Sequence, residues 1–305
     1  MKPLENINSN GGFSEFSEQN LMSFVIVKNH QINAMKNTNE LFSHLWNDYI
    51  STNPEVKSVY NLFVGEGEDI RHDHIAFRTF DHPKVNIDVL AKWFIDHGYQ
   101  LRGEYHFEEK HLYARHYEHK SDKNAPRVFI SHLKTNEFSD YLQSMVKDIV
   151  GKIPADVLRD EKLLTAGSTW ENLPSYNVYN RLREESEYAA WMYLFGYTVN
   201  HFAINVNHLQ NFTSLEKINE FLKNKGYIMN ESGGEIKGSP EKLLEQSSIR
   251  ASLQTLNFKE GQYEVPVTYY EFTRRYPDAN GKLFSGFIAK SADKIFESTD
   301  YYNHA

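Results

Sequence analysis

The sequence predicts an α+β fold in which two pseudo-symmetric strand–helix–strand modules form one cupped sheet around a metal site. The order of one strand, one helix and several further strands occurs twice, at about residues 70–135 and again at about 196–290. The interval from the first strand histidine to the glycine that ends the helix is 98 − 74 = 24 residues in the first copy and 226 − 201 = 25 in the second. Two copies of one unit favour a pseudo-twofold pair of cupped sheets with a cleft between their inner faces.

The first module begins with a strand that a helical segment precedes. Residues 37–54, NTNELFSHLWNDYISTNP, place apolar side chains at helical spacing. The stretch RHDHIAFRTF at 71–80 alternates like a strand, and residues 86–97 form an amphipathic helix that Gly98 can end in a left-handed conformation. Three further strands are predicted at residues 100–107, 112–118 and 127–132.

The second module follows the same order. TVNHFAINVNHL at 198–209 predicts a strand, and SLEKINEFLKNKGY predicts a helix that ends at Gly226. Two further strands are expected near residues 248–258 and 265–273.

These patterns predict one catalytic domain over residues 37–300. It consists of the two half-modules and a mainly helical insertion at about 137–195 that contains the apolar stretch SEYAAWMYLFGY, which has the spacing of a core helix. Residues 1–36 show little periodicity, so we expect a poorly ordered N-terminal segment.

The overall charge excludes several classes of partner. A net charge of −8 and a pI near 6.0 provide no basic field for a polyanion, so nucleic acid is not an expected partner. No stretch approaches the roughly 18 apolar residues of a membrane-spanning helix, and the beginning, MKPLENINSNGGFSEFSEQN, does not resemble a signal peptide. We therefore expect a cytoplasmic protein that acts on a small molecule and has no membrane partner.

A candidate metal site follows from the paired modules. His74 and His201 lie on the first strand of each module, where the polar faces meet in the shared cleft. Glu271, in the aromatic strand TYYEFTRR, is the candidate third ligand, although it could instead form a salt bridge with Arg274 or Arg275. Two imidazoles and one carboxylate are the ligand set of non-haem Fe(II), which leaves up to three positions for substrate and dioxygen. The absence of cysteine is consistent with this set.

Two other histidines compete for the ligand positions. His72 is an even number of residues from His74, which predicts the same strand face, so it rivals His74 as a ligand. His208 is a weaker rival of His201.

Arg78 is a candidate anchor for a substrate carboxylate. It shares a strand face with His74 and lies about 13 Å further along, at roughly 3.3 Å per residue. A guanidinium matches a carboxylate in a planar, bidentate geometry. The structural alternative is an ion pair with an acidic neighbour such as Asp73 or Asp81.

Four segments carry a resemblance to a known family: RHDHIAFRTF, SEYAAWMYLFGYTVNHFAINVNHL, QSSIRAS and YYEFTRRYP. Together they resemble the DUF1338 family, whose characterised activity is that of 2-oxoadipate dioxygenase/decarboxylase. The resemblance covers roughly residues 37–300 and implies a fold similar to that of the vicinal-oxygen-chelate enzymes, in agreement with the repeat described above.

The resemblance also implies a role for each candidate residue. His74 and His201 correspond to the family's metal-binding histidines, Glu271 to its carboxylate ligand and Arg78 to its substrate-binding arginine. The implied cofactor is Fe(II), and the implied partners are a 2-oxo acid and dioxygen. The implied reaction converts 2-oxoadipate to 2-hydroxyglutarate and carbon dioxide. The chain resembles the shorter branch of the family, which includes plant plastid proteins and can differ in substrate.

Two other function classes fit the same patterns. Paired modules of this kind also serve glyoxalase-like isomerases and epimerases, which use a divalent metal as a Lewis acid without dioxygen. A catalytically silent protein that binds an organic acid is the third possibility. Dioxygen consumption distinguishes the dioxygenase from both of these alternatives.

Overall fold

The computed structural model describes residues 37–168 and 172–299. The segment 1–36, for which the sequence predicts poor order, lies outside the described residues. Two helices precede the first module, whose strands and helix lie within one residue of their predicted bounds. These elements are α1 (Thr38–Thr52), α2 (Pro54–Gly65), β1 (His72–Phe80), α3 (Ile87–Asp96), β2 (Tyr99–Phe107), β3 (Leu112–His119) and β4 (Arg127–Leu133).

The insertion is mainly helical, as predicted, and a second set of strands follows it. The helices of the insertion are α4 (Asp140–Gly151), α5 (Tyr176–Glu185) and α6 (Glu187–Phe195). The later elements are β5 (Val199–Asn205), α7 (Leu215–Asn224), β6 (Lys237–Ser239), β7 (Leu244–Ser248), β8 (Leu253–Phe258), β9 (Gly261–Pro266), β10 (Glu271–Arg275) and α8 (Ala289–Phe296).

The helices α3 and α7 begin and end in the same way. Asn86 and Ser214 cap their N-termini, each accepting a hydrogen bond from the backbone amide three residues later. Gly98 and Gly226 follow their C-termini with φ of 95° and 89°, a conformation that glycine adopts without the steric cost of a Cβ. The equal spacing of these residues in the sequence therefore reflects two copies of one structural unit.

Eight strands form one mixed sheet that confirms the predicted pseudo-twofold arrangement. The order is β2-β3-β4-β1-β5-β10-β7-β6, with β1 and β5 antiparallel at the centre. On either side, β1 pairs in parallel with β4, and β5 pairs in parallel with β10. The outer strands of each half pair antiparallel with their neighbours, so the two halves have the same strand topology.

One prediction in the second module is wrong. The pattern predicts a strand over 248–258 and another over 265–273, but β7 ends at Ser248, and β8 and β9 form a separate two-stranded sheet before β10 begins at Glu271. Alternating apolar residues predict extended backbone without specifying its hydrogen-bond partner. The predicted strands therefore ran across the points where the chain leaves the main sheet and returns to it.

Helices cover both faces of the main sheet. On the outer face, Phe94 of α3 packs against Phe77, and Phe63 of α2 packs against Phe272. On the inner face, Ala292 and two other side chains of α8 line a cavity at the centre of the cup. The residues of α6 after its first are all buried, as predicted for a core helix. Among the described helices, none combines the length and apolar character needed to cross a bilayer.

Candidate metal centre

The structure brings His74, His201 and Glu271 together on the inner face of the sheet, on the adjacent strands β1, β5 and β10. Their side chains are almost fully buried. One ligand atom from each residue lies within 4.8 Å of the other two. The Nε2 atom of His74 is 3.6 Å from Glu271 Oε1, and the Nε2 atom of His201 is 3.2 Å from Glu271 Oε2.

Hydrogen bonds behind the two imidazoles fix which nitrogen faces the centre. The Nδ1 atom of His74 is 2.9 Å from Asp73 Oδ1, and the Nδ1 atom of His201 is 2.9 Å from Asn200 Oδ1. A carboxylate oxygen and an amide oxygen accept hydrogen bonds, so each Nδ1 carries the proton. In the neutral imidazole, each Nε2 therefore presents its lone pair to the centre, which is the form that binds a metal ion.

Glu271 is held in place by neutral donors. Gln246 Nε2 and Thr273 Oγ1 each donate to Glu271 Oε1 at 2.7 Å. Although burial raises the pKa of Glu271, the facing imidazoles of His74 and His201 outweigh this effect and hold the pKa well below its usual range. The carboxyl group is consequently ionised, which suits a metal ligand.

The two imidazoles have opposite pKa shifts. Burial lowers the pKa of His201. Burial also disfavours the charged form of His74, but the Glu271 and Asp73 carboxylates outweigh this and raise its pKa.

Asp73 connects the candidate site to two arginines. Its carboxylate accepts hydrogen bonds from Arg275 Nε at 2.7 Å, Arg275 Nη2 at 2.9 Å and Arg127 Nη1 at 3.1 Å. Burial raises the pKa of Asp73, yet these cations hold it well below its usual range. Asp73 thus remains an anion that can orient His74. The predicted alternative, in which Arg275 forms a salt bridge with Glu271, is wrong because Arg275 binds Asp73.

The exchange D73N is expected to lower metal affinity by roughly 10- to 100-fold, because partners behind a metal-binding histidine fix its orientation and basicity. It should also lower the melting temperature, since Arg275 loses its buried counter-ion. Anaerobic metal titration and thermal unfolding measure the two effects. The exchange D69N is a matched control, because that carboxylate is exposed and pairs with His208. Metal affinity equal to that of wild type in D73N would contradict the orienting role.

The prediction that His72 shares a strand face with His74 is wrong. His72 pairs with Ile204 while His74 pairs with Ala203, so two residue steps on β1 face one step on β5. This β-bulge makes Asp73 the extra residue and rotates His72 to the outer face. There, the Nε2 atom of His72 is 2.8 Å from the Tyr270 hydroxyl oxygen. Burial lowers the pKa of His72 to about 3.

The other rival histidine also lies away from the centre. His208 follows the end of β5, and its Nε2 atom is 3.0 Å from the Asp69 carboxylate. Neither rival belongs to the cluster of three candidate ligands.

Arg78 lies on the same inner face and is 1% exposed. Its guanidinium carbon is 4.9 Å from the ring centroid of Tyr188 and 5.0 Å from that of Trp191, both on α6. Its Nη2 donates to Thr299 Oγ1 at 3.3 Å, and its Nη1 is 3.5 Å from Glu187 Oε1.

The hydrogen-bond donors of Arg78 are only partly used. Within the described chain, its Nε and Nη1 have no hydrogen-bond partner. Neither Asp73 nor Asp81 forms an ion pair with Arg78, because Asp73 binds Arg275 and Asp81 accepts from Thr135. The acidic neighbour of Arg78 is Glu187. Arg78 therefore has buried donors that a ligand could use.

The repeat explains why the centre has three protein donors. In β1 and β4, Ala76 pairs with Phe129; in the other half, Ala203 of β5 pairs with Glu271 of β10. The pseudo-twofold axis thus relates Phe129 to Glu271, and it relates His74 to His201. A phenyl ring stands where the symmetry would place a fourth ligand, and that side of the centre has no donor from this position.

Several residues at the site were not predicted as functional. The sequence patterns suggest Asp73 only as an ion-pair partner of Arg78, and they assign no role to Gln246 or Asn200. One signal was present in the sequence: an acceptor precedes each candidate histidine, as Asp73-His74 in one module and Asn200-His201 in the other. Gln246 carries no such signal, because its position depends on the unpredicted strand β7.

The cavity beside the three candidate ligands is small and partly open. Its volume is about 20 Å³, and its apolar lining includes Phe129, Phe287, Ile295 and Phe296. A space of this size holds about one water molecule.

Comparison with known proteins supports these observations. The family model described as 2-oxoadipate dioxygenase/decarboxylase matches residues 30–282. A curated protein of Oryza sativa subsp. japonica, named 2-oxoadipate dioxygenase/decarboxylase, chloroplastic/amyloplastic, is 34% identical over 283 residues. The alignment covers 85% of this chain and 78% of the rice protein.

Solved structures share the fold. A putative hydrolase from Shewanella frigidimarina is 43% identical with a TM-score of 0.78, over 84% of this chain and all of the other. The hydroxyglutarate synthase of Oryza sativa, solved in complex with 2-oxoadipate, is 32% identical with a TM-score of 0.79, over 86% of this chain and 91% of the other. A putative glyoxalase superfamily protein from Ralstonia eutropha, 20% identical with a TM-score of 0.68 over 82% and 85%, shows the fold alone. The chain belongs to the 2-oxoadipate dioxygenase/decarboxylase family.

Proposed function

We propose that this protein is an Fe(II)-dependent dioxygenase that decarboxylates and hydroxylates 2-oxoadipate, forming 2-hydroxyglutarate and carbon dioxide. The observation that carries the proposal is the buried group of two imidazoles and one carboxylate, with Phe129 in place of a fourth ligand. The names of the rice relatives give the reaction and the substrate, since one of them was solved with 2-oxoadipate.

The three side chains fit a metal ion. Imidazole and carboxylate donors bind divalent metals at about 2.0–2.2 Å, and separations of 3.2 and 3.6 Å between the donor atoms leave room for an ion between them. Two histidines and one carboxylate with open positions are the ligand set of non-haem Fe(II) oxygenases. In our proposal, His74, His201 and Glu271 hold the iron, which supplies Lewis acidity and the redox chemistry that activates dioxygen.

The remaining residues position the substrate and exclude water. Arg78 provides Nε and Nη1 donors that make no hydrogen bond within the described chain, and the nearby rings of Tyr188 and Trp191 hold the guanidinium in place. Phe129, Phe287 and Phe296 make the lining apolar, so a reacting group inside is shielded from solvent. Holding the substrate in one orientation beside the metal supplies the entropic part of the rate enhancement.

Substrate binding requires a change in the cover of the cavity. A six-carbon diacid does not fit in about 20 Å³. Ala292, Ile295 and Phe296 of α8 form part of that lining. A displacement of these side chains would enlarge the space beside the candidate ligands.

Dioxygen uptake tests the proposed reaction. The Fe(II)-loaded protein should consume one dioxygen for each 2-hydroxyglutarate formed from 2-oxoadipate, measured with an oxygen electrode and mass spectrometry. Reactions with 2-oxoglutarate and without substrate are the controls. If iron-loaded protein consumes no dioxygen with any 2-oxo acid, the proposal is wrong, and a metal-dependent isomerase or epimerase, or a silent organic-acid-binding protein, becomes the better reading.

Domain organisation and location are also proposals. Residues 37–300 are proposed to act as one catalytic domain, because β1 and β5 pair across the two half-modules and donors from both halves form the candidate centre. A cytoplasmic location is proposed from the sequence alone; the curated rice relative is named as a chloroplastic/amyloplastic protein.

A further inference from the structure

A second buried cation lies on the inner face of the sheet. Lys237 begins β6 and is 3% exposed. It pairs in register with Gln246, which pairs with Thr273, and paired residues of neighbouring strands point to the same face. Gln246 and Thr273 both donate to Glu271, so Lys237 lies beside the residues that hold the proposed carboxylate ligand.

The ammonium group of Lys237 has no carboxylate partner. It donates to the backbone carbonyls of Asn230 and Glu235, and within the described residues no carboxylate oxygen lies at ion-pair distance from it. Burial lowers the pKa of Lys237 to about 8, because the opposing pull of more distant carboxylates, that of Glu271 being the largest, is too weak to restore the usual value. Lysine is rarely buried to this degree without a counter-ion. A bound anion would supply one.

Lys237 and Arg78 lie on opposite sides of the proposed metal centre. Arg78 follows Ala76, which pairs with His201, and is therefore beyond the N-terminal end of β5. Lys237 pairs with Gln246, which pairs with Thr273, so Lys237 lies level with Thr273. Thr273 is on the C-terminal side of Glu271 in β10, which runs parallel to β5. Two buried cations thus flank the three candidate ligands.

We propose that Lys237 binds one of the two carboxylates of the dicarboxylic substrate and that Arg78 binds the other. The inference rests on the proposed function and adds a substrate-binding residue to it. A dicarboxylate that spans the centre brings two negative charges into an apolar cavity. Each cation offsets one of them: within the described residues Lys237 has no carboxylate at ion-pair distance, and the Arg78 guanidinium has only that of Glu187, 3.5 Å from its Nη1.

A purely structural role is the competing explanation. The two carbonyl contacts of Lys237 help to close the loop before β6, and their loss would lower stability. Such a role predicts a lower melting temperature for any uncharged replacement and unchanged affinity for the substrate. A substrate-binding role predicts weaker binding that a positive charge restores.

The experiment measures binding without turnover. Full-length, Fe(II)-loaded protein is titrated under nitrogen with 2-oxoadipate and with the monocarboxylic analogue 2-oxohexanoate, using calorimetry. The exchanges K237M, K237R and R78M are compared with wild type, and K242Q removes a charge from an exposed lysine near β6 as a matched control. Thermal unfolding of each protein reports stability separately.

We expect K237M to raise the Kd for 2-oxoadipate by roughly 10- to 100-fold, the value of one charge-assisted contact. K237R should restore part of the affinity, and K242Q should have none of the effect. If Lys237 binds the carboxylate next to the oxo group, K237M weakens both acids and R78M weakens only 2-oxoadipate. If Lys237 binds the distal carboxylate, R78M weakens the binding of both acids and K237M weakens only the binding of 2-oxoadipate.

An unchanged Kd for both acids in K237M overturns the inference, whatever the melting temperature does. Dioxygen uptake by wild type tests the proposed reaction separately. Normal uptake with normal binding by K237M would therefore remove only the role of Lys237, whereas absent uptake with intact, Lys237-dependent binding would remove only the reaction.

Discussion

Replacing Glu271 with alanine is expected to abolish stoichiometric Fe(II) binding and, with it, dioxygen uptake. The exchange removes the single carboxylate of the candidate centre and leaves two imidazoles facing a gap. The loss of affinity should exceed the roughly 10- to 100-fold that follows from removing a partner behind a ligand. Anaerobic titration with Fe(II), followed by oxygen-electrode measurements with 2-oxoadipate, gives both values.

A control separates the metal effect from loss of a buried carboxylate in general. Glu245 on the neighbouring strand β7 is also mostly buried, but it pairs with Arg274 in register and accepts a hydrogen bond from Tyr276 on the other face of the sheet. E245A should retain Fe(II) binding. Full metal occupancy in E271A would show that Glu271 is not a ligand.

Introducing a carboxylate at Phe129 is expected to end turnover while metal binding is retained. The pseudo-twofold axis relates this position to Glu271, so F129E offers the centre a fourth protein donor. A metal with four protein ligands has fewer positions for substrate and dioxygen, which is the difference between closed structural sites and open catalytic ones. Uptake of dioxygen should fall to the background rate, while calorimetry should still detect one bound metal.

Two comparisons distinguish metal coordination by the introduced carboxylate from misfolding of F129E. F129L keeps the position apolar and should retain a large part of the activity, because it alters packing against Phe287 and Tyr105 without introducing a polar group. F129E without metal carries a buried, unpaired carboxylate, so metal should raise its melting temperature more than that of F129L. Dioxygen uptake by metal-loaded F129E at the wild-type rate would contradict the assignment of Phe129 to the open side of the centre.

The sequence was sufficient to predict the residues that meet at the candidate centre. His74 and His201 occupy equivalent places in two copies of one pattern, so a repeat detected by spacing alone brings them together. Glu271 could be predicted because a carboxylate between aromatic residues indicates a buried partner. The structure places all three within 4.8 Å of one another; their role as ligands remains our proposal.

What the sequence could not predict depends on local irregularity and on contacts between distant segments. The β-bulge at Asp73 adds one residue to β1, which reverses the face of His72 in a way that strict alternation cannot show. The strand β7 precedes the strand predicted over 248–258 and overlaps it only at Ser248, so the pattern does not predict the position of Gln246 beside Glu271. Likewise, the covering role of α8 follows from packing across the whole sheet.

The pairing of Glu271 with Phe129 across the pseudo-twofold axis has a consequence for ancestry. In a symmetric homodimer of one half-module, every residue beside the axis occurs twice, so a centre on that axis has an even number of donors from equivalent positions. Three donors require the two halves to differ. A gene that encodes both halves as one chain permits this, because each copy can then accumulate its own substitutions. Divergence of the two halves, which their joining in one chain permits, is therefore what allows an open, three-ligand site in this protein.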